Sequence, residues 1–151
     1  MIVDLMRNDL SKLACKGSVN VDELCEIYSF ETVHQMISTV SCQLKKECSF
    51  VDILKATFPM GSMTGAPKIR AMELIEQYED FRRGIYSGII GCIAPNGDFD
   101  FNVVIRTMVH NRERKTLSCA VGSAITIKSD ARKEYEECQI KIKKMIDVFK
   151  H

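Results

Sequence analysis

Residues 85–127 read IYSGIIGCIAPNGDFDFNVVIRTMVHNRERKTLSCAVGSAITI, and this stretch decides the fold. Apolar and β-branched residues dominate three runs, 85–93, 98–110 and 116–127. Pro95-Asn96-Gly97 separates the first two and Asn111-Arg112-Glu113-Arg114 the last two. β-rich runs joined by such turn residues predict an antiparallel meander. Helical patterns surround it. Downstream, 130–149 carries Tyr135, Cys138, Ile142, Met145, Ile146 and Phe149 at spacings that line up one apolar stripe of a helix. Upstream, Pro67 suits a first helical turn, and Ile69, Met72, Leu74 and Ile75 continue that helix to about Tyr78.

Working further outward, 59–66 lacks periodicity and is rich in turn residues, so it is a loop that delivers backbone N–H groups to a helix N-terminus. Residues 50–58 read as a short helix. Alternation of Met36, Ser38, Val40, Cys42 and Leu44 predicts a strand over 34–44, whereas 18–30 is mixed and gives no clear element. The opening 1–13 is an uncapped helix with Ile2, Leu5, Met6, Leu10 and Leu13 on one face, ending near Lys16-Gly17. The expected class is α/β of the α+β type, an antiparallel β-meander packed with helices.

Composition narrows the function. A chain of 151 residues with 46% hydrophobic and 27% charged residues, and no repeat or low-complexity tract, is expected to form one globular domain over 1–151. No apolar run is long enough for a membrane span and no signal pattern opens the chain, so the cytoplasm is the expected compartment. Lys plus Arg (21) balance Asp plus Glu (20), which argues against a nucleic-acid or anionic-membrane partner. Seven cysteines without a C-x-x-C pair read as reduced, mostly buried thiols. His34, His110 and His151 are too scattered for a zinc signature.

Several constellations could carry chemistry. Glu134, Glu137 and Lys141 stand at i, i+3 and i+7 of the last helix, on one face. Two such carboxylates suit a hard cation and the ammonium an anionic group, although a solvated face with ordinary i,i+4 pairing fits the same spacing. Gly61-Ser62-Met63-Thr64-Gly65-Ala66-Pro67-Lys68 is not a Walker loop, because no Ser or Thr follows the lysine. It is either an anion-binding or a plain capping loop. Val121-Gly122-Ser123-Ala124 could admit a ligand carboxylate to backbone donors or form a β-bulge. Arg106 falls inside an apolar run and needs an anionic partner or an exit to water. Tyr86 and His34 read as packed strand residues with one hydrogen bond.

Four segments in combination, MIVDLMRNDL (1–10), GSMTGAPKIRAM (61–72), Ile105-Arg106-Thr107 and Glu134-Tyr135-Glu136-Glu137, resemble the chorismate-utilising enzymes, in the same order and over essentially the whole chain. Thr64 and the Ile-Arg-Thr triplet are similar to aminodeoxychorismate synthase component I, where anthranilate synthases usually have Ser at the position of Thr64. The resemblance implies the C-terminal part of the chorismate-binding, anthranilate synthase-like fold. It implies Mg²⁺ as cofactor, with Glu137 a direct ligand and Glu134 beside it. It implies substrate contacts from Lys141 to a carboxylate, from Arg106 and Tyr86 to the enolpyruvyl carboxylate, from Ser62 and Thr64 on the loop, and from the backbone of Gly122 and Ser123. Chorismate is a dicarboxylate, and a cation for one end with an arginine and backbone donors for the other matches its charge.

Departures from the family pattern also carry expectations. The family histidine aligns with Gln35, and His34 is one residue earlier, pointing to the other side of its strand. Ala124 replaces a usual glycine and Cys138 a usual threonine. Family members begin much earlier. The preceding part holds a second Mg²⁺-binding glutamate and a Pro-Ile-Lys-Gly-Thr motif whose lysine attacks C2 of chorismate in aminodeoxychorismate synthases. The implied activity is amination of chorismate at C4 on the route to para-aminobenzoate and folate, with ammonia from a glutamine amidotransferase. The implied partners also include the missing N-terminal half of the domain. Anthranilate synthase component I is the alternative, and a non-catalytic fragment or interaction module the alternative of another class. Alone, the chain is expected to be inactive and to form a homo-oligomer that covers its apolar surface.

Overall fold

Every ladder in the computed structural model, which describes residues 1–31 and 33–150, joins strands that are neighbours in sequence. The elements fall into two compact units, Met1–Asp80 and the remainder from Phe81 onward.

The first unit begins with helix α1 (Ile2–Ser11), which has no side-chain cap, as its sequence implies. Strands β1 (Asn20–Ser29) and β2 (His34–Ser41) form an antiparallel pair. β1 has no clean alternation because its register shifts between Val21 and Glu23 and again between Glu23 and Glu26, with Cys25 at φ 57°. Each irregularity changes which side chains share a face, and so hides the period of two. Helix α2 (Phe50–Thr57) starts at a reciprocal capping box, the Ser49 hydroxyl accepting from the Asp52 amide and the Asp52 carboxylate from the Ser49 amide. A single 3₁₀ turn (Gly61–Met63) leads to helix α3 (Lys68–Tyr78), for which Pro67 is the N-cap.

Leu13 and Ala14 are the buried apolar residues here, closed over by an isolated bridge from Ala14 to Leu44. The bonds on either side of that bridge run from the Cys15 amide to the Gln43 carbonyl (2.8 Å) and from the Lys45 amide to the Leu13 carbonyl (3.0 Å). Asp9 is 2% exposed, the most buried side chain of α1. Burying a carboxylate is costly unless it is paired. Lys68 and Lys12 both reach it, Lys12 at 3.1 Å.

The second unit holds β3 (Ile89–Ile93), β4 (Phe99–Val103), β5 (Met108–Asn111), β6 (Thr116–Cys119) and α4 (Ala131–Asp147). β3 pairs with β4 and β5 with β6, both antiparallel. The meander expected over 85–127 is thus two hairpins whose strands are shorter than the apolar runs. At its start, 85–88 is a turn, with Ser87 at φ 68° and the Gly88 amide bonded to the Ile85 carbonyl. At its centre, β4 and β5 are separated by a break in which Arg106 adopts φ 51°. Ser87 and Gly88 bond to both polar groups of Val104, which is 4% exposed. These two bonds carry the β3–β4 pairing one bulged step further, and the strand ends just after it, where the Ile105 amide turns back to the Val103 carbonyl at 3.0 Å. After β6, residues 120–129 are irregular, up to the Asp130 cap of α4.

Large apolar residues stay exposed in both units, including Ile27 (71%) and Ile69 (74%) in the first and Ile90 (61%) and Ile140 (72%) in the second. All seven cysteines are free, which fits reduced thiols, but the expectation that most are buried is corrected: five are half-buried, and Cys25 and Cys92 are exposed. Burial, aided by Cys15 and Cys48, pushes the Cys42 thiol up.

Candidate ligand site

Helix α4 supplies the densest set of charged groups that meet residues from elsewhere in the second unit. The Asp130 side chain caps it by accepting from the Lys133 amide at 3.0 Å, which fixes where its first turn begins. Glu134 follows in that first turn, near the positive end of the helix dipole. Hydrogen bonding with Ser123 and Ser129 holds its carboxylate below the usual glutamate range, and Lys141 adds to the effect. Ser129 is itself placed by the Thr126 amide, which donates to its hydroxyl at 3.0 Å. Two turns along α4, Lys141 Nζ lies 2.6 Å from Glu137 Oε1 and donates to the Gly122 carbonyl at 2.9 Å.

Gly122 therefore joins α4 to the irregular segment before it, and its lack of a side chain has a local use. A Cβ there would stand 2.8 Å from the phenol oxygen of Tyr86. The Tyr86 ring lies 5.9 Å from the Arg83 guanidinium carbon, and Arg83 Nη1 donates to the Ser87 hydroxyl at 3.1 Å. Beside these groups is an open cleft of about 510 Å³, lined by Arg82, Arg83, Tyr86, Val104, Thr107 and Val121 among others. Apolar walls and two guanidinium groups border it.

The structure brings together Tyr86, Gly122, Ser123, Glu134, Glu137 and Lys141. Tyr86 stands on the 85–88 turn, which corrects the expectation of a strand. Arg106 is likewise in the break after β4, not within a strand, and its side chain exits to water. Ser62 and Thr64 belong to the first unit. Ser62 is exposed on the 3₁₀ turn, and the Thr64 hydroxyl donates to the Met60 carbonyl at 3.0 Å. His34 is exposed and shares a 3.0 Å hydrogen bond with Ser29 across the β1–β2 hairpin, while Gln35 is paired with Tyr28. Among the described residues, no three His, Cys, Asp or Glu side chains gather closely enough to hold a metal ion. Ser129 and Arg83 escaped the reading of the sequence. So did the Asp9–Lys68 ion pair, although Asp9, four residues from both Leu5 and Leu13, puts a charge on an apolar stripe.

Carboxylates, an ammonium, two hydroxyls and a phenol thus gather around Gly122 on an α+β frame. A family model described as chorismate binding enzyme matches residues 1–147, and the chain belongs to that family. The probable aminodeoxychorismate synthase, chloroplastic, of Oryza sativa subsp. japonica is 49% identical over 95% of the chain, which covers 16% of that protein. Aminodeoxychorismate synthase component 1 of Escherichia coli K12 is 40% identical over 97% of the chain, which covers 32% of it. Among solved structures, anthranilate synthase component I from Streptococcus pneumoniae TIGR4 matches with a TM-score of 0.82 and 38% identity, over 96% of this chain and 33% of that one. The α+β class expected from the sequence is thereby established, and the chain spans a third or less of the length of these relatives.

Proposed function

We propose that this chain forms part of the chorismate site of an aminodeoxychorismate synthase, the enzyme that replaces the 4-hydroxyl of chorismate by an amino group. The observation that carries the reading is the 49% identity to the rice relative over nearly the whole chain. The cluster around Gly122 supports it, because a dicarboxylate substrate needs cationic and hydrogen-bonding groups held in place. Lys141 is the carboxylate contact, already oriented by Glu137 and the Gly122 carbonyl. Arg106, Tyr86 and the backbone of Gly122 and Ser123 receive the enolpyruvyl carboxylate; in the first unit, Ser62 and Thr64 are further candidate substrate contacts.

Glu134 and Glu137 have the donor chemistry for Mg²⁺, which takes oxygen ligands from one or two carboxylates and keeps waters or substrate oxygens for the rest. They would hold the ion, which would supply charge neutralisation and orientation for one substrate carboxylate. The reading assigns the two units to one chorismate-binding domain, since one family model runs through both. It requires the remaining part of that domain and, as a partner, a glutamine amidotransferase that releases ammonia. No helix among the described residues is long and apolar enough to cross a membrane. We assign the chain to the cytoplasm, with the plastid as the alternative that the rice relative's name favours.

The 38% identity to a solved anthranilate synthase component I favours a second reading, in which the product is anthranilate. To test both, the chain is combined with the N-terminal portion of the Escherichia coli relative, chorismate, Mg²⁺ and ammonium, and the products are separated by chromatography. Aminodeoxychorismate is expected. Anthranilate as the main product establishes the second reading, and a chain that neither binds nor converts chorismate overturns both.

A further inference from the structure

Helix α1 and the loop before α3 meet at two places one helical turn apart. At the first, a Cβ on Gly61 would stand 2.9 Å from Leu5 Cβ, so the backbone of the loop rests directly on the helix. At the second, Asp9 forms its ion pair with Lys68, the first residue of α3. Leu5 and Asp9 are four residues apart and share a face of α1. The two contacts therefore grip the loop at both ends, with Ser62 and Thr64 between them.

The charges make the second contact the directional one. Lys68 is a cation at the N-terminus of a helix, where the backbone dipole disfavours positive charge. Its side chain is 16% exposed and its carboxylate partner's 3%, so neither relies on solvent to settle its position. Lys12 also reaches Asp9, yet its side chain is 52% exposed and it belongs to the same helical segment, so it carries no information about the loop. Lys68 alone of the two couples α1 to a segment 59 residues away.

We propose that Asp9 is a positioning residue, which through Lys68 holds the 61–67 loop in the shape that presents Ser62 and Thr64 to a ligand. The ligand half of this inference rests on the chorismate reading, and the anchoring half does not.

The test is backbone hydrogen exchange of the full chain, followed by calorimetric titration with chorismate. Lys68→Met is the informative variant, because Lys12 remains to pair Asp9 and the unit keeps a partner for its buried charge. Exchange at residues 62–66 should accelerate about tenfold or more, the scale expected when a charge-assisted contact is lost locally. The β1–β2 hairpin should keep wild-type exchange. Lys68→Arg should restore most of the protection, and Lys12→Met should leave the loop unchanged. Chorismate affinity should fall about tenfold in Lys68→Met and recover in Lys68→Arg. Unchanged loop exchange overturns the anchor, as does equal acceleration throughout the unit. Wild-type chorismate affinity in Lys68→Met overturns the positioning role. A wild-type chain that fails to bind chorismate removes the functional reading instead, while the exchange data still decide the anchor.

Discussion

The phenol oxygen of Tyr86 occupies the space that a side chain on Gly122 would need, 2.8 Å from where its Cβ would stand. Because the obstacle is the far end of a side chain, Gly122→Ala should fold, with a loss within the usual overpacking range of about 1–3 kcal/mol. Tyr86→Phe in the same chain should recover much of that loss. Urea unfolding of the two single variants and the double variant measures the coupling, and strictly additive effects would show that the two residues do not compete for this space.

Gly91 should behave differently. A Cβ on Gly91 would run into the carbonyl of Asp100 on the paired strand β4, and a backbone group can yield only by breaking the ladder. Gly91→Ala should therefore cost at least about 1–3 kcal/mol and disrupt the β3–β4 pairing. Amide resonances of the two strands would report it. A well-dispersed, unshifted hairpin in the variant would contradict the expectation.

For the proposed metal, binding by the chain alone should be weak, since Mg²⁺ would find carboxylates on only one helix. Glu137→Ala should abolish it. Lys141→Met should strengthen it, because the ammonium that neutralises Glu137 at 2.6 Å is then gone. Calorimetric titration with MgCl₂ reads both, and equal affinity for wild type and Glu137→Ala would sink the assignment.

Acid should unfasten α2 at its start. Hydrogen bonds from the Ser49 hydroxyl and amide hold the Asp52 carboxyl below its ordinary value of 3.8. A depressed folded-state value means that the cap is fully stabilising above the unfolded-state value and is lost as pH falls through the folded one. An NMR titration should place the Asp52 midpoint below 3.8 in wild type, and Ser49→Ala should raise it. A midpoint unmoved by that substitution would rule out the capping box as the cause.

The chain by itself should not turn over chorismate, because positioning depends on groups held at fixed distances and the family's lysine nucleophile is not in this sequence. Its exposed isoleucines should drive self-association. Ammonia-dependent chorismate consumption and the solution mass, measured on one preparation, check both. A monomer with robust turnover would refute them.

Local geometry decided what the sequence disclosed. Glu134, Glu137 and Lys141 were readable as one face because helical spacing is set within two turns, whereas 121–124 was readable only as a carboxylate-admitting stretch or a bulge, and its contacts with α4 depend on tertiary packing. Strand β1 was lost to its two register shifts. Arg106 looked embedded in a strand because its neighbours are β-branched, and only the bond from the Ile105 amide back to the Val103 carbonyl, with Arg106 at positive φ, shows where the strand ends. Asp9 puts a charge on the apolar stripe of α1, a signal that went unread, and nothing near it in sequence names Lys68.

The pairing of strands with their sequence neighbours alone also orders the assembly of the molecule in time. Each of the three hairpins closes over a short connection, and such structures form in about 1–10 μs. The contact between Asp9 and Lys68 must close a loop of 59 residues and carries a larger entropic cost before it gives anything back. The segment bearing Ser62 and Thr64 is therefore expected to acquire its final shape after the hairpins are made.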